Sequence, residues 1–158
     1  LVLTHFKGHV MGGFGGSLKN IAIGCASGKT GKAQLHSDGT NLWAGGPLFM
    51  ERMVEGGKAI TTHFKGHMAY INVLRRMSVD CDCCAVAEDP KMADIGILSS
   101  LDPVALDQAC LDLVYASQDP GKKDLLERIE SRNGVHTVEA AAELGVGRRE
   151  YEFISLNN

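Results

Sequence analysis

The stretch LVLTHFKGHVMGGFGGSLKNIAI, residues 1–23, passes from an apolar segment through a glycine-rich turn into a second apolar segment. Residues 1–6 predict a short buried strand. Gly8, Gly12, Gly13, Gly15 and Gly16 predict a flexible turn, and residues 17–23 a helix whose first residue, Ser17, carries a hydroxyl suited to capping. The same alternation recurs downstream. Residues 24–43, rich in Gly, Ser, Lys, Thr and Asp, show no sustained period and predict a long surface loop. Pro47, Leu48, Met50, Met53, Val54, Ala59 and Ile60 have helical spacing, with Gly56-Gly57 a weak point and Gly66 a stop. Residues 68–74 and 94–99 predict strands on either side of a cysteine-bearing loop at 80–90. Asp102-Pro103 is a strong helix start, because Asp accepts from free backbone N–H groups and Pro has the φ of a first helical position. Val104, Leu106, Ala109, Cys110, Leu113 and Val114 supply that helix's apolar face, and helices at 122–131 and 136–144 and a closing strand at 151–156 follow. Strands alternating with helices predict an α/β fold, a layered sheet of mixed or mostly parallel strands with flanking helices, forming a single domain over residues 1–158.

Composition agrees with this reading and excludes several functions. The 158 residues carry 16 Lys+Arg against 19 Asp+Glu and are 44% hydrophobic, enough to bury a core without a disulfide or metal staple. A net charge of −3 with both signs interspersed offers no basic field to nucleic acid. No apolar run approaches the roughly 18 residues of a membrane span, and no signal segment opens the chain. The expected location is cytoplasmic, with neither nucleic acid nor membrane as a partner. The chain opens at Leu1 as though already inside a strand, which predicts a piece of a longer protein. Glycine supplies 19 residues and proline only 4, a balance that favours close backbone turns over stiff linkers. Of the five cysteines, Cys81, Cys83 and Cys84 form one cluster, with Cys25 and Cys110 far from it in sequence. In a reducing compartment such a cluster points to metal or redox chemistry rather than a disulfide framework.

Four groups of residues carry candidate chemistry. The hexapeptide THFKGH occurs twice, at 4–9 and 62–67, and each copy sets two histidines four apart. Four imidazoles would suit a transition metal if the fold joined the copies. In the second copy, Gly66 also suits a helix C-cap, with His63 and Lys65 favourable near the negative helix end. The glycine loop Gly12-Gly13-Phe14-Gly15-Gly16-Ser17-Leu18-Lys19-Asn20 reads either as a cradle of backbone N–H groups for an anion or as a tight turn for close packing. It has neither the P-loop nor the dinucleotide spacing. Asp80-Cys81-Asp82-Cys83-Cys84 offers thiolates and carboxylates, Cys81 and Cys83 pointing the same way on an extended loop, with Cys25 available to complete a thiolate set. Asp102 reads first as a helix cap, and Asp107, one turn on, is a candidate to face a site at the strand's C-terminal edge, where open α/β sheets usually bind ligands.

The stretches THFKGHVMGGFGGSLKNIAIGCASGKTGKAQLHS, YINVLRRMSVDCDCC, DIGILSSLDPVALDQACLDLV and ERIESRNGVHTVEAAAELGVGRREYEFI together resemble the uncharacterised Fe-S centre proteins, the domain-of-unknown-function family DUF362 of bacteria and archaea. The resemblance implies an intracellular α/β protein associated with iron–sulfur or metal chemistry. Many members carry a ferredoxin-like CxxCxxCxxxCP segment near the position of residues 36–46, absent here, and extend upstream of the position of Leu1. The positions the resemblance carries over, with no individual roles, are His5, His9, Lys19, Asn20, Cys25, His36, Asp80, Cys81, Asp82, Cys83 and Asp102.

The resulting expectation is a metal- or Fe-S-associated protein, as a redox or metal-dependent enzyme, with a transition metal or an iron–sulfur cluster as its cofactor. Its ligand pool is His5, His9, Cys25, His36, Asp80, Cys81, Asp82 and Cys83. Gly13, Gly15, Gly16, Ser17, Lys19 and Asn20 would hold a small anionic ligand, and a redox partner would complete an electron-transfer role. The alternative is a non-catalytic module that binds an anion or other ligand through residues 12–20.

Overall fold

The computed structural model describes residues 1–41 and 43–156. In chain order the elements are β1 (Val2–His5), β2 (Lys7–His9), β3 (Gly13–Gly15), α1 (Ser17–Cys25), α2 (Gly31–His36), α3 (Gly46–Phe64), β4 (Tyr70–Leu74), β5 (Gly96–Ser100), α4 (Pro103–Ala116), α5 (Lys123–Ser131) and α6 (His136–Glu143), with a 3-10 turn at Pro120–Lys122. These helices and a mixed sheet make an α/β fold. The sheet has the order β1-β4-β5, β1 parallel to β4 with Val2 opposite Tyr70, and β4 antiparallel to β5 with Tyr70 opposite Ser100.

Alternation along β4 decides which face is covered. Tyr70, Asn72 and Leu74 are buried, and the intervening residues are only partly so. On the opposite face Leu3 and Ile97 remain 65% and 71% exposed. Helices α1 and α4 pack on the buried face, and α1 also lies along α3. The main core gathers Phe6 and Phe14, stacked at 5.4 Å, with Leu18, Ile21, Tyr70, Leu74, Leu106, Leu111 and Val114. Each such side chain contributes about 1.5–3 kcal/mol on burial. Gly56 and Gly57 do not interrupt α3. They lie where Leu35 and Ile21 press against it, so a weak point in propensity becomes a place of close helix contact.

Several expectations are corrected. The glycine-rich turn after residue 6 is a two-stranded hairpin, β2 antiparallel to β3 with His9 opposite Gly13. The loop expected at 24–43 contains α2, one and a half turns that end at the buried His36. The segment 151–156 carries no strand. It lines, with β5 and α4, a groove of about 400 Å³, and Tyr151 Oη donates to Asp112 Oδ2 at 2.7 Å, so the tail is tied to α4 rather than added to the sheet. Ser17 is not the cap of α1 but its first residue; its hydroxyl donates to Asn72 Oδ1 at 2.7 Å. No helix among the described residues is long and apolar enough to cross a membrane.

Candidate metal centre

The hairpin brings the cysteine loop to His9. Gly8 donates its N–H to Ser78 O at 2.8 Å, and a Cβ on Gly8 would lie 2.0 Å from Val79 O. Only a glycine allows β2 to run this close to the backbone of the segment after β4. From the other side Arg128 of α5 donates to Val79 O and to Asp80 Oδ1, both at 3.1 Å. Lys7 of β2 pairs with Asp82 at 2.8 Å. Within the loop, Cys84 N donates to Cys81 O at 2.9 Å and Cys83 N donates to Cys81 Sγ at 3.5 Å, which folds the two alternate thiols to one side. The result is that His9, Cys81 and Cys83 each place a ligating atom within 4.8 Å of the other two.

The electrostatics of this group keep the His9 ring neutral and the Cys83 thiol protonated. Burial, then the charges of Lys19, His36, Lys7 and Arg128, push the His9 pKa down to about 3, so the ring is neutral at physiological pH. Its Nδ1 accepts from Gly12 N at 3.0 Å and Met11 N at 3.3 Å, which assigns the proton of the neutral ring to Nε2. Lys19 Nζ lies 3.9 Å from Cys81 Sγ. Cys81 is 4% exposed, whereas Cys83 opens to solvent. Burial, then the hydrogen bond and charge of Cys81, push the Cys83 thiol up to about 11. The Glu88 N–H and the Arg128 guanidinium hold the Asp80 carboxyl below its ordinary range. Partial burial works to raise Asp82, but Lys7 and then His5 overcome it and hold this carboxyl low as well. His9, Cys81 and Cys83 make a Cys2His set; cysteines bind a metal as thiolates, and three such ligands would leave one position of a tetrahedral ion open.

Residues 1–112 match the family model described as Domain of unknown function (DUF362). The chain belongs to this family. No curated protein and no solved structure matches it. In this DUF362 chain the matched stretch contains His9, Cys81, Cys83 and Lys19, while Arg128, which clamps the cysteine loop, lies beyond it.

The other predicted residues of the DUF362 chain are distributed around this centre rather than in it. His5 sits between Asp82, at 3.3 Å from Nδ1, and Arg75 O, at 2.9 Å from Nε2. His36 donates from Nδ1 to Lys32 O and packs, with tilted rings, against Trp43 and Phe49 at centroid distances of 4.6 and 5.2 Å. Cys25 is exposed at the far end of α1. An iron–sulfur cluster ordinarily requires four thiolates; Cys81 and Cys83 lie together, Cys84 follows them directly and its charge acts on Cys83. The second THFKGH copy closes α3, with Lys65 left-handed at φ 49° and Gly66 at φ 80°, and does not join the first. Asp102 caps α4, accepting from Val104 N and Ala105 N at 2.8 and 3.1 Å. Asn20 ties α1 to β1 through Leu3 O and Thr4 Oγ1.

At the glycine loop the backbone N–H groups of Ser17 and Leu18 already have an anion. Asp107 accepts them at 2.8 and 3.0 Å, and a Cβ on Gly16 would lie 2.4 Å from its Oδ1. The role of Asp107 has a trace in sequence. It stands three residues after Val104 and three before Cys110, on the buried stripe of α4, where a carboxylate needs donors from elsewhere in the fold.

Proposed function

We propose that this DUF362 domain is a metal-associated protein whose centre is one transition-metal ion held by Cys81, Cys83 and His9, and that it acts as a metal-dependent or redox enzyme. The observation that carries the reading is the approach of these three ligating atoms to within 4.8 Å of one another. The open fourth position is the feature that separates catalytic from structural zinc sites, and an ion there would supply Lewis-acid or electron-transfer chemistry. The residues of the chain prepare the donors. The Cys83 N–H donates to Cys81 Sγ at 3.5 Å, and the Lys19 ammonium lies 3.9 Å from the same sulfur. Ion pairs with Arg128 and Lys7 occupy Asp80 and Asp82, which keeps these carboxylates out of the ligand set.

Ligation by His9 has a definite cost. Through Nδ1 it displaces the Met11 and Gly12 amides; through Nε2 the ring proton must leave that atom and settle on Nδ1, which turns the same amides away. Either route moves the hairpin turn. Elemental analysis and an optical spectrum of anaerobically purified protein test the proposal. Wild type should carry about one equivalent of zinc, iron or cobalt, and Cys81→Ser/Cys83→Ser should lose it. A folded wild-type chain that neither carries nor takes up any of these metals would overturn it.

A further inference from the structure

The charges around the centre do not cancel. Asp80 is paired with Arg128 at 3.1 Å, and Asp82 with Lys7 at 2.8 Å and His5 at 3.3 Å. Glu88, the next acid along the loop, is held by Lys91 at 3.1 Å, which also pairs with Asp124. Lys19 differs from all of these. Its one polar partner among the described residues is Cys81 Sγ, 3.9 Å away, with no carboxylate beside it. The stems of Lys19, from α1, and Lys7, from β2, both pass over Gly15 of β3, where a Cβ would meet Lys19 Cδ at 3.4 Å and Lys7 Cε at 3.7 Å, so the two side chains run side by side.

A divalent ion cancels two thiolates. The two aspartates are already neutralised. One positive charge, that of Lys19, is left over in a half-buried site whose thiol Cys83 opens to solvent. Desolvating an uncompensated ammonium is unfavourable, and the compensation the geometry calls for is a small anion at the ion's open position. A charge-assisted hydrogen bond from the ammonium to an oxyanion is the interaction this position can offer.

We infer that the centre takes a small oxyanion, the carboxylate or phosphoryl group of its substrate, with Lys19 as the positioning residue that binds it beside Cys81. This rests on the metal reading above and names the ligand class for the same site. It differs from the glycine-loop cradle, because the amides of Ser17 and Leu18 belong to Asp107.

The test uses the full chain loaded with Co(II), whose visible spectrum reports its ligands. Acetate and inorganic phosphate are titrated separately, into wild type, Lys19→Gln and Lys19→Arg. Wild type should show a saturable spectral change with at least one of the two anions, and the stronger response identifies carboxylate or phosphoryl as the preferred group. Lys19→Gln should weaken that binding about tenfold or more at unchanged cobalt stoichiometry, and Lys19→Arg should restore most of it. Stoichiometric cobalt with a spectrum indifferent to both anions, or with an anion affinity unchanged in Lys19→Gln, overturns the inference and leaves the metal site standing. Failure to bind cobalt overturns both.

Discussion

Replacing Asp107 with alanine removes an N-terminal cap that the chain supplies across 90 residues. Oδ1 accepts from Ser17 N at 2.8 Å and from Asn72 Nδ2 at 2.7 Å, and Oδ2 accepts from Leu18 N at 3.0 Å, all in a fully buried setting. Losing a helix cap costs about 0.5–2 kcal/mol, and each buried donor left unpaired about 1–3 kcal/mol. Partial relaxation of Asn72 reduces the total, so Asp107→Ala should cost about 3–5 kcal/mol in urea unfolding, or a fall in Tm of about 10 °C for a chain of this size. Asp107→Asn keeps the shape and one acceptor, and should cost about 1–2 kcal/mol. Burial pushes the Asp107 carboxyl up from 3.8 to about 6, against the opposing hydrogen bonds of Leu18, Asn72 and Ser17. Between these values the folded chain holds a proton the unfolded chain has released. The contribution of this group to stability is therefore full below pH 3.8 and falls as pH rises through about 6, with a slope of at most about 1.4 kcal/mol per pH unit. Asp107→Asn should remove that slope. An alanine variant within about 1 kcal/mol of wild type would refute the capping argument, and a slope that persists in the asparagine variant would refute the titration argument.

Three further outcomes follow from the centre. Gly8→Ala places a Cβ 2.0 Å from Val79 O, so it should push the cysteine loop off β2 and lower zinc affinity about tenfold or more, as read by competition with a chelator; unchanged affinity would separate the loop from the hairpin. Metal loading should shift or deprotect the amides of Met11 and Gly12 in NMR or hydrogen exchange, since both now donate to His9 Nδ1; amides identical in the apo and loaded chains would remove His9 from the ligand set. Metal affinity should rise by about a decade or more per pH unit through neutral and alkaline pH as thiols lose protons. No inflection should appear near 6.5, because the His9 pKa is about 3 and that of Cys83 about 11; an affinity that levels off above pH 7 would exclude Cys83 as a ligand.

Local patterns carried much of this. The alternation of β-type and helical spacing located the main strands and helices to within a few residues, because period 2 and period 3.6 leave different apolar traces. Asp102-Pro103 capped α4 because its donors are two and three residues away. The cysteine cluster and His9 were visible as chemistry, although not as neighbours. Long-range partners left no such trace. Nothing near Ser17 announces that its amide is satisfied by a residue on α4, and nothing near Cys25 or His36 shows that they end outside the cluster.

The repeated hexapeptide separates the two kinds of information most sharply. Thr4-His5-Phe6-Lys7-Gly8-His9 and Thr62-His63-Phe64-Lys65-Gly66-His67 have the same side chains and so the same local preferences. Propensity differences among such residues amount to less than about 1 kcal/mol each, too little to choose a conformation. In the first copy Phe6 is fully buried, stacks on Phe14 and donates its N–H to Val73 O, and the backbone is strand on both sides of it. In the second copy Phe64 is 46% exposed at the last turn of α3, and Lys65 and Gly66 turn left-handed to end the helix. Composition and spacing determine that a Thr-His-Phe-Lys-Gly-His segment can lie in a strand or close a helix. Burying a phenylalanine, worth about 1.5–3 kcal/mol, together with the strand pairing offered by β4, makes the choice and puts His9 rather than His67 beside the thiols.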